Sequence, residues 1–328
     1  MGLSRAIAQS MVTVDDLFAS PDHYLHSFEG DAGIFVPMDR AAYHRSIFLD
    51  VRISPAAKTS TNWPVNELAG RVSPPAPTAW IFHVAHCGST LLARALDHLT
   101  TNLVLREPFA LRQLALAPDA ERLAIVLAML SKRYRQDLAT IVKANVPVNF
   151  TLPTLTAADP VAQTIVLYLN LADYLMAVLR SETNRQWVRR ITALLSAHLG
   201  DLFGLSDAER AAALWLTQMQ AFAAAIDRMP NVRTLNGEDF LAEPLRWLGP
   251  AADHLGVPIT AEAIEKVVSG PLFAAYSKNP TVPFNNEVRL AQRSESERRL
   301  ASEIERAQLW IEKKDAPDLA QIIAVAGL

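Results

Sequence analysis

The sequence predicts an α/β protein in which a parallel sheet is flanked by helices on both faces. From about residue 78 onward, short apolar segments of strand length alternate with longer segments whose apolar residues recur at helical spacing. Half of the 328 residues are apolar and 20% are charged, which provides enough apolar surface for a large buried core. Strands separated by helices pair in parallel, because each connection crosses back over the sheet.

An N-terminal segment, residues 1–77, precedes this pattern. Alternating apolar residues within 41–53 (AAYHRSIFLDVRI) predict a strand, and the prolines of SPPAP at 73–77 predict an extended connector. We therefore divide the chain into residues 1–77, a mixed α/β cover, and residues 78–328, an α/β domain with helical insertions and a helical tail. The first 18 residues have neither a signal-peptide apolar core nor a myristoylation pattern, so we expect no export or anchor.

The elements of the second part follow in order along the chain. The predicted strands are Trp80–Val84, Asn102–Leu105, Leu138–Pro147, residues 164–169 and Asn231–Leu241, the last running into a helix. The predicted helices are Leu91–Leu99, Ala120–Tyr134, Asp173–Arg185, Arg189–Leu199, Ala208–Arg228 and the charged surface tail Ser294–Glu312.

Composition excludes several classes of protein. The net charge of −3 provides no field that favours nucleic acid or anionic lipid, and the longest apolar stretch, 211–226, is too short to span a bilayer. The single cysteine, Cys87, forms no internal disulfide and supports no structural zinc site. We expect a protein of the reducing cytoplasm with no metal, no nucleic acid and no membrane as partner; the oligomeric state stays open.

The segment His83–Thr90 follows the first strand of the predicted sheet. In an open parallel sheet, ligands bind beyond the carboxyl ends of the strands, where loops meet helix N-termini. There, unpaired N–H groups attract phosphate or sulfate oxygens, and Gly88, Ser89 and Thr90 supply close backbone approach and two hydroxyls. The alternative is that Ser89 or Thr90 only caps the helix.

This loop differs from that of nucleotide hydrolases. Their pattern GxxxxGK followed by Ser or Thr places a lysine on the β- and γ-phosphates and a hydroxyl on Mg²⁺. Here no lysine precedes the hydroxyls, and the strand at 164–169 runs into Asn170 and Leu171 rather than an aspartate. ATP or GTP chemistry is therefore disfavoured.

The residues HVAHCGSTLLARAL (His83–Leu96) resemble the phosphosulfate loop of the sulfotransferase family, in particular its bacterial branch. Later landmarks follow in the family's order: LREP (Leu105–Pro108), IVKANVP (Ile141–Pro147), NGEDFLAEP (Asn236–Pro244) and YSKNPTVPFNNEVR (Tyr276–Arg289). The resemblance covers roughly residues 79–312. It implies a three-layer fold of the P-loop kinase type and metal-free transfer of a sulfuryl group from 3′-phosphoadenosine 5′-phosphosulfate to a hydroxyl or amine of a small-molecule acceptor.

The resemblance also implies roles for individual residues. His86, with Cys87, Gly88, Ser89 and Thr90, is expected to hold the phosphosulfate, His86 as an imidazolium in the place of the family's Lys or Arg. His86 could instead bond only to a carbonyl.

Two charged residues follow the next strands. Glu107 is expected to be the general base on the acceptor, and Lys143 is expected to emerge near the donor phosphates and stabilise their charge. The alternatives for Glu107 are a helix cap or an ion pair with Arg106 or Arg112.

The sequence departs from the family where the donor's 3′-phosphate binds. An arginine after the strand and a serine two turns later are replaced at the matching positions by residues 169–171 and Ala177. Other groups could take their place, although each one alone is typical of a solvated surface charge: Arg180, Ser181, Arg185, Lys278 and Arg289. Two alternatives therefore stay open, a phosphotransferase of the same fold and a non-catalytic nucleotide-binding protein.

Overall fold

The computed structural model describes residues 12–314 and 326–328. The part of the N-terminal expectation that concerns residues 1–11 lies outside this range. The strands are β1 His23–Glu29, β2 Ala32–Pro37, β3 Thr61–Pro64, β4 Thr78–His83, β5 Val104–Arg106, β6 Thr140–Lys143, β7 Thr164–Tyr168, β8 Val232–Asn236, β9 Ala275–Tyr276 and β10 Asn279–Pro283.

Helices connect these strands and form the C-terminal tail. They are α1 Val14–Ala19, α2 Arg40–Arg45, α3 Val65–Ala69, α4 Ser89–Ala95, α5 Phe109–Leu116, α6 Ala120–Leu130, α7 Leu152–Ala158, α8 Leu171–Leu179, α9 Glu182–Leu194, α10 Ser196–Leu199, α11 Asp207–Ile226, α12 Gly237–Ala242, α13 Pro244–His254, α14 Ala261–Val268 and α15 Asn286–Glu312. A 3-10 helix, Val146–Thr151, leads into α7.

Five parallel strands form the central sheet, in the order β5-β6-β4-β7-β8. All five predicted strands are present, and the predicted α/β class with a parallel sheet is confirmed. The strands are buried along almost their whole length, as expected when helices cover a parallel sheet.

The direction in which the chain crosses the sheet determines where the helices and the candidate site lie. From β4 the chain moves to β5 on one side of the sheet, and from β6 it passes back over β4 to β7 on the other side. Because such crossovers are right-handed, connections in opposite directions place helices on opposite faces. The carboxyl ends of all five strands meet at one edge, so the segments after them, including those that contain His86, Glu107 and Gly237, converge there.

Two sequence expectations about local structure are wrong. The strand expected within 41–53 is the helix α2 followed by turns, because the Asp39 side chain accepts a hydrogen bond from the Ala42 N–H and starts a helix there. The single helix expected over Asp173–Arg185 breaks after α8, where the Ser181 side chain caps α9 by accepting from the Asn184 N–H.

The N-terminal segment packs on the edge of the sheet. Its strands β1, β2 and β3 form an antiparallel sheet, and its apolar residues belong to the same continuous core as the parallel sheet. Arg106, at the end of β5, is 1% exposed and donates to the carbonyls of Tyr43 and Ser46 and to the Asp97 carboxylate. These buried polar contacts thus join residues that precede the extended, exposed connector at 73–77 to residues that follow it in the chain.

Candidate functional site

The loop between β4 and α4 has a tightly turned backbone. His86 has a φ of 63° and Gly88 has a φ of 87°, both in the left-handed region. Glycine adopts this region freely, whereas a residue with a Cβ is strained there and needs its surroundings to hold it. The neighbouring elements therefore maintain the loop conformation.

The start of α12 provides part of that support. A Cβ placed on Gly237 would lie 2.3 Å from the Cys87 carbonyl oxygen, so only glycine fits against the loop backbone at this position. The Cys87 thiol lies beneath the loop, fully buried, and donates to the Val84 carbonyl at 2.8 Å. Burial raises the pKa of this thiol, which makes Cys87 a packing group rather than a nucleophile.

A cavity of about 290 Å³ opens in front of the loop. Its wall combines the loop with parts of α8, α12, the β9–β10 hairpin and the first turns of α15. The structure brings most of the predicted binding residues together there: His86, Cys87, Gly88, Ser89, Thr90, Arg180, Lys278 and Arg289.

One hydroxyl in this wall lacks a partner. The Thr90 side chain is 2% exposed, and its Oγ1 has no hydrogen-bond partner among residues 12–314 and 326–328. An unpaired buried hydroxyl costs about 1–3 kcal/mol. A ligand oxygen in the cavity would satisfy it.

The cations of the cavity fall into two groups. Arg289 forms an ion pair with Glu238, and Arg293 forms one with Asp173 at 2.6 Å, so carboxylates of the wall itself neutralise both arginines. Arg180 and Lys278 have no carboxylate within 4.0 Å in the part of the chain that the structure describes. Arg180 instead donates to the Tyr276 hydroxyl at 3.1 Å. The cavity therefore has a positive balance, which suits an anionic ligand.

His86 is neutral in these surroundings. Burial lowers its pKa well below 6.5, and the charges of Lys278 and Arg180 lower it further. Its ring meets the Trp187 ring edge to face at 5.5 Å. The expected imidazolium therefore requires a bound anion that raises this pKa, and it stays a prediction.

Glu107 and Lys143 form an ion pair at the ends of β5 and β6. The Lys143 Nζ lies 2.5 Å from Glu107 Oε1, and the Lys143 side chain is 1% exposed. Burial alone would raise the pKa of Glu107, but the Lys143 ammonium outweighs this effect and lowers it to about 2. The backbone at Glu107 is also strained, with a φ of 57°.

This pairing corrects the expectation for Lys143 and realises one of the alternatives for Glu107. Lys143 does not emerge toward donor phosphates, because an ammonium at the end of a buried strand requires a counter-ion and Glu107 supplies it. The alternative of an ion pair for Glu107 is realised, with Lys143 in the place of Arg106 or Arg112.

His83 lies beside this pair and is fully buried. Its Nδ1 is 2.8 Å from the Val84 carbonyl oxygen and its Nε2 is 2.9 Å from that of Ala144. Burial, followed by the charge of Lys143, lowers its pKa to about 3. The neutral ring has a single N–H, so one of the two contacts is not a hydrogen bond.

Two predicted binding residues lie away from the cavity wall. Arg185 forms a two-pronged ion pair with Glu303, both bonds at 2.8 Å, which ties α9 to α15. Ser181 caps α9 and borders a second concavity next to the first. Arg185 is therefore a structural residue, because its guanidinium is already saturated by a carboxylate.

Sequence reasoning missed several residues of the site. Gly237 had a signal, a glycine directly between a strand and a helix, but its contact with Cys87 is long-range and invisible in sequence. The pairing of Arg289 with Glu238 and of Arg293 with Asp173 joins residues 51 and 120 positions apart and had no local signal.

Within the described ranges, no group of three or more His, Cys, Asp or Glu side chains is arranged to hold a metal ion. No described helix combines the length and the apolar character that crossing a bilayer requires.

Comparisons with known proteins give structural neighbours only. No protein-family model matches the chain, and no curated protein matches its sequence significantly. The fold is similar to that of a sulfotransferase from Alicyclobacillus acidocaldarius, with 14% identity and a TM-score of 0.41 over 75% of this chain and 98% of the other. It is also similar to the sulfotransferase domain from the curacin biosynthetic pathway, with 13% identity and a TM-score of 0.38 over 74% and 100%. The fold class itself rests on the strand order of the five-stranded sheet.

Proposed function

We propose that this chain transfers a sulfuryl group from 3′-phosphoadenosine 5′-phosphosulfate to a hydroxyl or amine of a small molecule. The observation that carries the proposal is the cavity wall, where the loop and the unpartnered Thr90 hydroxyl face the unneutralised charges of Arg180 and Lys278. Such a wall suits phosphate or sulfate oxygens. The sequence of the loop lacks the lysine of nucleotide hydrolases, which disfavours ATP as the donor.

The reaction needs a base and a positive group. In an in-line transfer, the acceptor oxygen or nitrogen bonds to sulfur while the bond from sulfur to the bridging oxygen of the 5′-phosphate breaks. The proton of the acceptor passes to the Glu107 carboxylate, and the leaving phosphate takes the electron pair. Cations placed where that negative charge develops lower the barrier.

The donor's 3′-phosphate requires a partner other than the family's arginine and serine. Leu169 is buried in the core and Ala177 has no polar group, so neither replaces them. Arg180 lies one turn beyond Ala177, lines the cavity, and forms hydrogen bonds only to the neutral side chains of Tyr276 and Gln292 in the part of the chain that the structure describes. We assign the 3′-phosphate to Arg180.

A binding protein without transferase activity is the second candidate. One observation favours it: Glu107 is already paired with the Lys143 ammonium, which lowers its pKa and makes this carboxylate a weak base. A protein of this kind would bind the nucleotide in the same cavity and leave the acceptor unreacted.

Calorimetric titration separates the ligand classes. The purified chain is titrated with 3′-phosphoadenosine 5′-phosphate, with adenosine 5′-phosphosulfate and with ADP plus Mg²⁺. We expect micromolar affinity for the bisphosphate, about −8 kcal/mol, and weaker binding of the other two. A preference for ADP with Mg²⁺ would indicate a phosphotransferase, and no binding of any ligand would refute the proposal.

The Glu107→Gln variant separates catalysis from binding. It removes the base and keeps the shape of the side chain, so we expect unchanged affinity for the bisphosphate and a loss of sulfuryl transfer of about 10²-fold or more, measured with a panel of phenols, alcohols and amines. Unchanged transfer would remove Glu107 from the mechanism. Binding by the wild type without any transfer would support the second candidate.

A further inference from the structure

The two lysines near the loop differ in what they face. The Lys143 ammonium is enclosed in the protein and bonded to Glu107, and the Glu107 N–H donates to the Lys143 carbonyl at 2.8 Å. Residue 143 is also in register with Arg106 across the β5–β6 pair. Lys143 is thus bound through both its backbone and its side chain to the strand that carries Glu107.

Lys278 faces the cavity instead. It lies in the turn between β9 and β10 and lines the cavity together with the loop. Within residues 12–314 and 326–328 it has neither a hydrogen bond nor an ion pair from its side chain. Its ammonium is the free lysine charge in the cavity wall.

Charged groups on several elements act on the Lys278 ammonium. Loss of hydration lowers the pKa of Lys278; Glu107 and Cys87 raise it, whereas Arg52 and Arg180 lower it further. In return, Lys278 lowers the pKa of three neighbouring cations or imidazoles, His83, His86 and Lys143. Lys278 therefore acts on both the anion loop and the carboxylate proposed as the base.

The hairpin that carries Lys278 is fastened to the helix of the loop. Arg94, in the last turn of α4, donates to the carbonyl of Ser277 at 2.8 Å, directly before Lys278. The Tyr276 ring contacts that of Phe284 at 5.7 Å and its hydroxyl accepts from Arg180. The position of Lys278 relative to the loop is thus set by α4 and by the cavity wall.

We propose that Lys278 is the lysine that contacts the transferring sulfuryl group and the leaving 5′-phosphate, and that Lys143 is a positioning residue that holds Glu107. This inference rests on the proposed function. As the bond from sulfur to the bridging oxygen breaks, the negative charge that develops on the 5′-phosphate lies next to the Lys278 ammonium. Lys278 thereby provides, from the C-terminal hairpin, the charge that the loop lacks. Lys143 touches neither donor nor acceptor.

The first test does not depend on turnover. The intact protein is treated with pyridoxal 5′-phosphate, whose aldehyde forms a Schiff base with an unprotonated amine, then reduced with borohydride and mapped by mass spectrometry. We expect faster labelling of Lys278 than of the exposed Lys266 of α14, protection by 3′-phosphoadenosine 5′-phosphate, and no labelling of Lys143. Labelling of Lys278 no faster than that of Lys266, or without protection, would overturn the inference.

The second test compares variants in the transfer reaction. Lys278→Met should lower kcat by about 10²-fold or more with a smaller loss of affinity for the bisphosphate, and Lys278→Arg should restore part of kcat. Lys266→Met is the control and should match the wild type. Unchanged kcat in Lys278→Met would overturn the assignment.

Lys143→Met should change the pH profile rather than abolish activity at high pH. Without its counter-ion, the burial that raises the pKa of Glu107 is opposed mainly by the smaller effects of His83 and Lys278, so activity should disappear at a higher pH on acidification than in the wild type. A uniform loss at every pH in a folded Lys143→Met variant would return the catalytic role to Lys143. A wild type that binds no nucleotide and transfers no sulfuryl group would refute the proposed function itself, a different result from all of these.

Discussion

At His86 and Glu107 the backbone enters the left-handed region that residues with a Cβ avoid. Among residues 12–314 and 326–328 they are the two non-glycine residues with positive φ, and both belong to the candidate site. Such strain costs about 1–3 kcal/mol per residue and persists only where the surroundings impose it. Because the strain is confined to these two positions, the chain retains the site geometry at a cost in local stability.

The strain at His86 has a measurable consequence. At a φ of 63° the Cβ of alanine is penalised and glycine is not, so His86→Gly should exceed His86→Ala in the free energy of unfolding by about 1 kcal/mol. Denaturant unfolding measures the difference. In the control, Ala224→Gly within α11, glycine should instead destabilise by about 1 kcal/mol. Equal stability of the two His86 variants would contradict the backbone conformation.

The neutral state of His86 predicts how binding depends on pH. Because burial, Lys278 and Arg180 hold its pKa well below 6.5, imidazolium forms only when a bound anion raises the pKa. Affinity for adenosine 5′-phosphosulfate, whose charge is constant above about pH 4, should then be flat from pH 7 to 8 and increase at lower pH. Calorimetry at several pH values measures this, and the increase should be absent in His86→Gln. A steady fall in affinity from pH 7 to 8 that His86→Gln abolishes would mean that the bound anion raises the pKa of His86 above about 7, and no dependence at any pH would remove His86 from anion binding.

At the scale of elements, apolar runs of strand length were sufficient to locate all five strands of the parallel sheet. The loop was identified because a glycine and two hydroxyls lie between a strand and an amphipathic helix, a local pattern. The ion pairs between residues far apart in the chain were not predictable from the sequence. The contact of Lys143 with Glu107 spans 36 residues and that of Arg289 with Glu238 spans 51, and such contacts depend on how the elements pack. Local capping by Asp39 also outweighed the alternation that predicted a strand within 41–53.

Substitution of Gly237 tests the contact between α12 and the loop. In Gly237→Ala, the new Cβ would require the Cys87 carbonyl or the start of α12 to move, since the distance of 2.3 Å is far below van der Waals contact. The loop N–H groups would then be misplaced, and we expect a loss of affinity for the bisphosphate of at least about tenfold. Circular dichroism should show an intact fold.

Gly249→Ala in α13 is the matched control. Its Cβ would meet only a side-chain methyl of Ile264 at 3.5 Å, an ordinary contact, and its helical position favours alanine. Affinity should stay at the wild-type value. Wild-type affinity in Gly237→Ala as well would mean that the loop does not depend on α12.

For the whole molecule, the question is whether residues 1–77 fold with the rest of the chain. Asp97 receives hydrogen bonds from Arg40 of the N-terminal segment at 2.6 Å and from Arg106 of the sheet at 2.5 Å, and both Asp97 and Arg106 are 1% exposed at their side chains. The Leu49 N–H also donates to the Arg106 carbonyl at 2.7 Å. A buried carboxylate between the two parts predicts that they unfold together.

Removal of that carboxylate tests the prediction. Asp97→Ala leaves Arg106 buried without a counter-ion, which costs about 3–5 kcal/mol, and it should lower the stability of the whole chain in a single transition followed by tryptophan fluorescence and circular dichroism. Asp137→Ala, which breaks an exposed pair with Arg135, is the control and should change stability little. An early, separate transition of the N-terminal segment in Asp97→Ala would instead mean that residues 1–77 form an independent unit.

The buried Asp97 carboxylate also predicts how the stability of the protein varies with pH. Burial opposes the ionisation of Asp97, but the hydrogen bond from His44 and the charges of Arg106 and Arg40 outweigh it and lower its pKa below the ordinary 3.8. The native state therefore binds fewer protons than the unfolded state, so the contribution of Asp97 is complete above about pH 4 and declines as the pH falls below it. Unfolding midpoints of the wild type should decrease on acidification below pH 4, and Asp97→Ala should show a smaller decrease. Parallel decreases in both proteins would assign the acid sensitivity to other carboxylates, Glu107 first among them.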